Sequence, residues 1–397
     1  MNPEKPVSFD NTAIAFASKT DSELFKMYGL FAAMNNNGLV KVGGALVQKA
    51  FKWHLPIKFL IKPTIFNQFC GGESLADCNL AIAKLAQSNI GTILDYSVEG
   101  ENDESSFDRT CQEILATINK ARQNAHIPFS VFKVTGLGDG ALLKKVQDQT
   151  DLTPTESAAY ARVQERVNRI CQQAHAAGVR VFVDAEESWF QDTIDQMTLD
   201  MMARYNKEKA IVYNTYQLYR HDRLDVLKRD YENGRAAGYY VGAKLVRGAY
   251  MEKEARVARL EGYPNPINPT KIATDNLFNA ALRFCVEHLD QMVLCAGTHN
   301  EESCYLLLEL MEEHQIPKQD PRVWFAQLYG MSDNLSYNLA YAGYNVAKYV
   351  PYGPVEAVMP YLLRRAEENT AIAGQSSREY NLVRKEMVRR RHQKTQG

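Results

Sequence analysis

Eight short runs of apolar, largely β-branched residues recur along this chain, with amphipathic stretches lying between them. The runs are 92–96, 129–134, 180–183, 210–215, 239–246, 292–297, 322–328 and 344–350. Helical candidates between them are 106–124, 156–177, 189–205, 220–236, 275–289, 301–314 and 332–341. Strands that are apolar along nearly their whole length are covered on both faces, which a parallel sheet flanked by helices provides. Eight such units predict an α/β fold of the distorted (β/α)8 TIM barrel type, a fold of ~250 residues that fits 72–373. A doubly wound sheet is the alternative, and it demands no particular strand number. An extra helical piece at 142–147 ahead of the Ala-rich 156–177 segment lengthens the second βα connection.

The ends differ from this alternation. Thr20 and Asp21 offer helix caps, and Leu24, Phe25, Tyr28 and Phe31 give a helical stripe. Asn35 to Asn37 break it, and 39–53 read as a second helix. We divide the chain into an N-terminal helical arm, 1–70, a barrel, 71–375, and a basic tail, 376–397. The tail carries Arg384, Lys385, Arg389, Arg390, Arg391 and Lys394 and reads as a solvated, frayed helix, with peripheral contact to anionic lipid as the other reading. Apolar content of 45% and charged content of 23% are those of a globular protein, and a net charge of −1 supplies no field for nucleic acid. Seven cysteines without a CxxC pair point to reduced thiols in a cytosol-like compartment. The N-terminal residues carry no targeting pattern, and no apolar run approaches the ~18 residues of a membrane span.

In a (β/α)8 barrel the chemistry sits at the C-terminal ends of the strands. Those ends carry Asp95, Lys133, Asp184, Gln217, Lys244, His299, Gln327 and Tyr349. Lys133 interrupts the apolar run FSVFKVT, where an ammonium needs a partner, and Asp184 at the end of VRVFVD suits it or, equally, caps the next helix. KLVRGAY, 244–250, sets two cations and a glycine at a strand end, as an anion site requires. After the last strand, a helix of roughly 354–373 holds YLLRRAEEN. At ~100° per residue, Tyr361, Arg364, Arg365 and Glu368 share one face and Met359, Leu362, Leu363 and Ala366 the other. Paired guanidinium forks match a carboxylate, and Glu368 is spaced to steady Arg364. Gly136, Gly138 and Gly140 follow a strand, but their G-x-G-x-G spacing departs from the dinucleotide fingerprint. The sequence holds no P-loop, G-x-S-x-G, H-E-x-x-H or metal-ligand spacing.

Taken together, ILDYSVE, FKVTGL, VDAEES, TYQLY, AKLVRGAY, KIATD, THN, QLYGM, YVPYG and YLLRRAEEN resemble the proline dehydrogenase family of flavoenzymes, in family order over 90–369. The layout resembles the monofunctional enzymes of eukaryotes and their bacterial relatives more than the catalytic domain of the bifunctional enzymes. The resemblance implies a distorted barrel with its final helix over the mouth and FAD at the C-terminal rim. It implies oxidation of L-proline to Δ1-pyrroline-5-carboxylate by hydride transfer from C5 to flavin N5, with electrons passed to a membrane quinone. Arg364 and Arg365 would grip the proline carboxylate, with Lys133 a third cation oriented by Asp184. Glu368 would steady Arg364, and Tyr349, Tyr361, Leu245 and Tyr250 would wall the ring. Gln217, Lys244, Arg247, Gly248, Lys271, Thr274, Thr298, His299, Asn300 and Gln327 would contact FAD. Many bacterial relatives carry Arg where this chain has Lys244. Tyr349 argues against 4-hydroxyproline as the preferred substrate, since relatives that prefer it carry a smaller residue there. A non-enzymatic barrel binding an anionic amino acid is the remaining reading.

Overall fold

A computed structural model describes residues 7–53, 55–98, 102–371 and 375–396; for 37, 41, 48, 51, 52, 367–371, 375–377 and 396 it gives the backbone course alone. Eight parallel strands close into a barrel in sequence order: β1 Ile90–Tyr96, β2 Phe129–Phe132, β3 Arg180–Val183, β4 Val212–Gln217, β5 Val241–Val246, β6 Met292–Gly297, β7 Val323–Leu328 and β8 Val346–Tyr352. Each expected run holds one strand, and the edges move for local reasons. Tyr239 drops out of β5 because its N–H closes the preceding helix on Gly234 O, behind Gly238 in the left-handed region at φ 67°. Tyr344 likewise bonds Leu339 O before β8 begins. Lys133 lies beyond the end of β2, just before a 3-10 turn at Val134–Gly136.

The intervening helices follow the expected pattern, with two additions. Met251–Glu261 follows β5 and is rich in charge, burying little besides Glu254 and Ala258, so it has no apolar period to announce it. Asn79–Ala86 precedes β1. Gly138, part of the glycine triplet, is a packing position: a Cβ there would meet Val163 Cγ2 at 2.2 Å. Gly138 therefore serves close approach of the Pro154–Ala177 helix.

The chain divides into two compact units. The first holds 93–96 and 101–326. At its base Phe129 stacks on Phe182 at 4.4 Å, with Tyr213 edge-on to both. Beneath the strand ends runs a buried polar chain. Gln191 joins Glu186 N to Asp195, and Asp195 also takes bonds from Asn214 (3.0 Å) and Arg223 (2.7 Å).

The second unit holds 1–92, 97–100 and 327–397. The arm helix Asp21–Met34 starts at a capping box between Thr20 and Glu23. Its buried Leu24, Met27 and Phe31 pack with Phe66, Phe69, Val355, Leu362 and Val383 in one apolar cluster. The tail departs from expectation. It forms a helix, Gln375–Gln396, that buries Leu382 and Val383 and pairs its cations: Arg389 and Arg390 with Glu386, and Arg390 and Lys394 with Asp21. Apolar anchors at every third or fourth residue hold it down where charge alone suggested fraying. Among the described residues no helix is long and apolar enough to cross a membrane.

Lys348 and Asp333 form a fully buried ion pair at 2.7 Å, with Lys19 at 3.5 Å from the same carboxylate. Asp333→Ala leaves the Lys348 ammonium unpaired and should cost ~3–5 kcal/mol in denaturant unfolding, partly recovered by adding Lys348→Met. A double variant no more stable than Asp333→Ala would show that the buried charge is not the cause.

Candidate active site

At the strand ends of the first unit, Asp184 is the hub. It follows β3, its N–H bonded to Phe132 O at 2.9 Å. Its carboxylate makes a short hydrogen bond with Lys244 Nζ and an ion pair with Lys133 Nζ at 3.9 Å. Lys244, on β5, is 5% exposed at its side chain and lies 5.2 Å from the centre of the Phe182 ring. The sequence offers Asp184 to Lys133 or to the next helix as a cap; the closer partner is Lys244, which the register of β4 and β5 places beside Thr215. Asp184 does not cap the following helix, whose N-cap is Glu187.

Glu186 escaped the sequence reading. Its carboxylate accepts from Thr135 N at 3.0 Å and from the Thr135 hydroxyl, tying the Lys133 turn to the Asp184 loop. Burial pushes this carboxyl up to about 7, against the Thr135 hydrogen bonds and the Lys133 charge. The acidic run in VDAEES was visible; which of its members turns inward was not.

A second cluster surrounds Arg247. Its guanidinium donates to Asp275 (2.7 Å), Thr298 Oγ1 (2.7 Å) and Ser303 Oγ (3.0 Å) and stacks over Phe278. Lys271 is exposed and bonds the other oxygen of Asp275 at 2.5 Å. Asn300 caps the Glu301–Glu313 helix through Ser303 N, and His299 is half-buried between it and Thr298. Thr274 is buried on the first turn of the Lys271–Glu287 helix. Asp275, four residues after Lys271, thus gathers two expected residues; that spacing was legible, its grip on Arg247 was not.

Gly248 has φ 130°, and a Cβ there would meet the Tyr219 ring at 2.5 Å, so no side chain fits. Tyr250 is the N-cap of the Met251–Glu261 helix, and Leu245 is fully buried. At the end of β4, Gln217 is 2% exposed, and its Oε1 is buried without a hydrogen-bond partner among the described residues. An acceptor left so costs ~1–3 kcal/mol unless a ligand N–H meets it. An orphaned amide oxygen and a bare backbone at Gly248 fit a ligand with a ring imide, as a flavin has, while the KLVRGAY cations are already held by Asp184 and Asp275.

In the second unit, Gln327 accepts from Ser336 at 2.8 Å and Tyr349 is buried on β8. On the Met359–Ala371 helix, Arg365 is buried with its guanidinium 5.2 Å from the Tyr361 ring centre, while Arg364 is half-buried. Tyr361 packs with the arm's apolar cluster, so the buried side of this helix is wider than the expected stripe. The side chain of Glu368 lies outside the described residues.

The sequence model of the family described as proline dehydrogenase matches residues 78–378. The chain belongs to the proline dehydrogenase family. A proline dehydrogenase 1, mitochondrial, of Dictyostelium discoideum is 32% identical over 426 residues, 96% of this chain and 74% of that protein. The carbapenem antibiotics biosynthesis protein CarD of Pectobacterium carotovorum is 37% identical over 322 residues, 81% and 83% of the two chains. The human proline dehydrogenase 1, mitochondrial, is 42% identical over 241 residues, with 40% of its length covered. In fold, the chain is similar to proline utilization A of Bdellovibrio bacteriovorus, with TM-score 0.71 and 18% identity, covering 93% of this chain and 40% of that one.

Glu186 supplies a pH test. Folded, it holds a proton between its usual 4.5 and about 7 that the unfolded chain releases. Its contribution is full below the lower value and is lost as pH rises through the higher. Unfolding free energy should therefore fall by ~2–3 kcal/mol more between about pH 5 and about pH 8 in the wild type than in Glu186→Gln. Parallel profiles would assign the proton elsewhere.

Proposed function

We propose that this proline dehydrogenase family member oxidises L-proline to Δ1-pyrroline-5-carboxylate with FAD as cofactor and a quinone as electron acceptor. The observation that carries the cofactor is the buried, unpartnered Gln217 Oε1 at a strand end. Bound flavin supplies the two-electron acceptor that no side chain provides. Gln217 and Lys244 would meet the ring system, while Gly248, Thr298, His299 and Asn300 line the strand ends alongside; Arg247, Lys271, Thr274 and Gln327 carry the same role from the resemblance.

The substrate's carboxylate needs cations, and we assign Arg364 and Arg365 to it, with Lys133 as a third. Asp184 holds Lys133 and Lys244 in place. Leu245, Tyr250, Tyr349 and Tyr361 exclude water from the pyrrolidine ring, and Glu368 steadies Arg364. We assign the proton of the proline amine to solvent. Seven buried thiols, none in a disulfide, suit a reducing, cytoplasmic compartment with peripheral contact at an inner membrane.

Arg364→Ala and Arg365→Ala should each raise KM for L-proline at least ~10-fold with a smaller effect on kcat, as a bound carboxylate loses a partner. Unchanged KM in both would refute the carboxylate assignment. Turnover on L-proline should exceed that on 4-hydroxyproline, and the reverse preference would replace the substrate.

A further inference from the structure

The arm carries an apolar face that no described residue of the chain covers. On the Asn37–Lys52 helix, Val40 and Val47 pack inward on the apolar cluster, and a Cβ on Gly44 would sit 3.1 Å from Leu363. The outward side is apolar as well: Leu39, Val42 and Leu46 are 60%, 61% and 61% exposed, and Trp53 beyond the helix is 68% exposed. The short Lys58–Ile61 helix adds Phe59 at 70% and Leu60 at 57%. Offsets of three, four and seven residues put Leu39, Val42, Leu46 and Trp53 in one helical stripe. Isolated exposed hydrophobics need no explanation, but a stripe repeated at helical spacing marks a surface that is covered in use.

Charge says by what. Between Glu23 and Glu73 the sequence holds six lysines and neither Asp nor Glu, in a chain of net charge −1. Lys58 pairs with Glu356 and Lys62 with Glu73, yet both lysines remain about half exposed. A second copy of this face would bring like charges together. A surface with a negative outer layer over hydrocarbon accepts both features, with Trp at the boundary and lysines reaching outward.

We infer that the face formed by Leu39, Val42, Leu46, Trp53, Phe59 and Leu60 docks on an anionic lipid bilayer. The inference rests on the reading above in one respect: a quinone dissolved in a membrane requires the protein to reach it. It moves the lipid contact from the tail, where Arg389, Arg390 and Lys394 are held by Glu386 and Asp21, to the arm. The same helix packs through its inner face on the one that carries Arg364 and Arg365.

The test floats the full-length protein with vesicles of phosphatidylcholine alone and of phosphatidylcholine mixed with phosphatidylglycerol. Flotation is expected with the anionic vesicles, weakening as salt is raised. Trp53 emission should shift to the blue, a shift lost in Trp53→Phe. The combined variant Leu39→Ser, Val42→Ser, Leu46→Ser should bind at least ~10-fold more weakly while its thermal unfolding and its oxidation of proline with a soluble dye stay unchanged. Wild-type flotation by that variant overturns the proposal. So does loss of binding in Arg384→Gln, Arg391→Gln instead, or a concentration-dependent dimer that the serine variant dissolves without any lipid binding. Failure of dye reduction with flotation intact would count against the proposed reaction and leave the docking face standing.

Discussion

One carboxylate holds two lysines at the end of a closed parallel barrel, and the candidate site depends on it. A barrel of this kind has no wet face, so a cation on a strand must find its counter-charge inside. Lys244 does so at Asp184, and Lys133 leans on the same group. Removing the carboxylate would take this counter-charge from a nearly buried ammonium over the Phe182 ring, a destabilising change. The pair is positioned from below by the chain of bonds from Glu186 through Gln191 to Asp195, which ties the loop after β3 to β4 and to Arg223. Charge at the rim is thus fixed by rigid polar scaffolding rather than by exposed loops, as preorganised binding requires.

The same logic sorts the other polar residues. Arg247 has its guanidinium bonded to Asp275, Thr298 and Ser303, so its place is set before any ligand arrives. Gln217 is the opposite case: it is buried with an acceptor left over. Bonded groups such as Arg247 build the rim, and Gln217, with an acceptor in reserve, offers it to a ligand.

The barrel was legible because its signal is periodic: eight apolar runs, each long enough to be a strand and too short to be a helix. The misplaced edges at Tyr239 and Tyr344 come from helix-end hydrogen bonds that apolar content does not encode. The Met251–Glu261 helix was hidden because its buried residues are one glutamate and one alanine. The tail was misjudged because composition counts arginines and does not reveal that Glu386 and Asp21 meet them. In the site, residue types and order pointed to Lys133, Asp184 and Lys244, while the choice of partner needed strand register. Glu186 was invisible for the same reason, since its role depends on Thr135, fifty-one positions away in the chain.

The most direct test of the account is the visible spectrum of the purified protein under anaerobic conditions, before and after L-proline is added. A bound flavin absorbance that bleaches on addition of L-proline, and does not bleach with an equal concentration of acetate, is the predicted result. A colourless protein that takes up no added FAD, or a flavin that L-proline leaves oxidised, would contradict it.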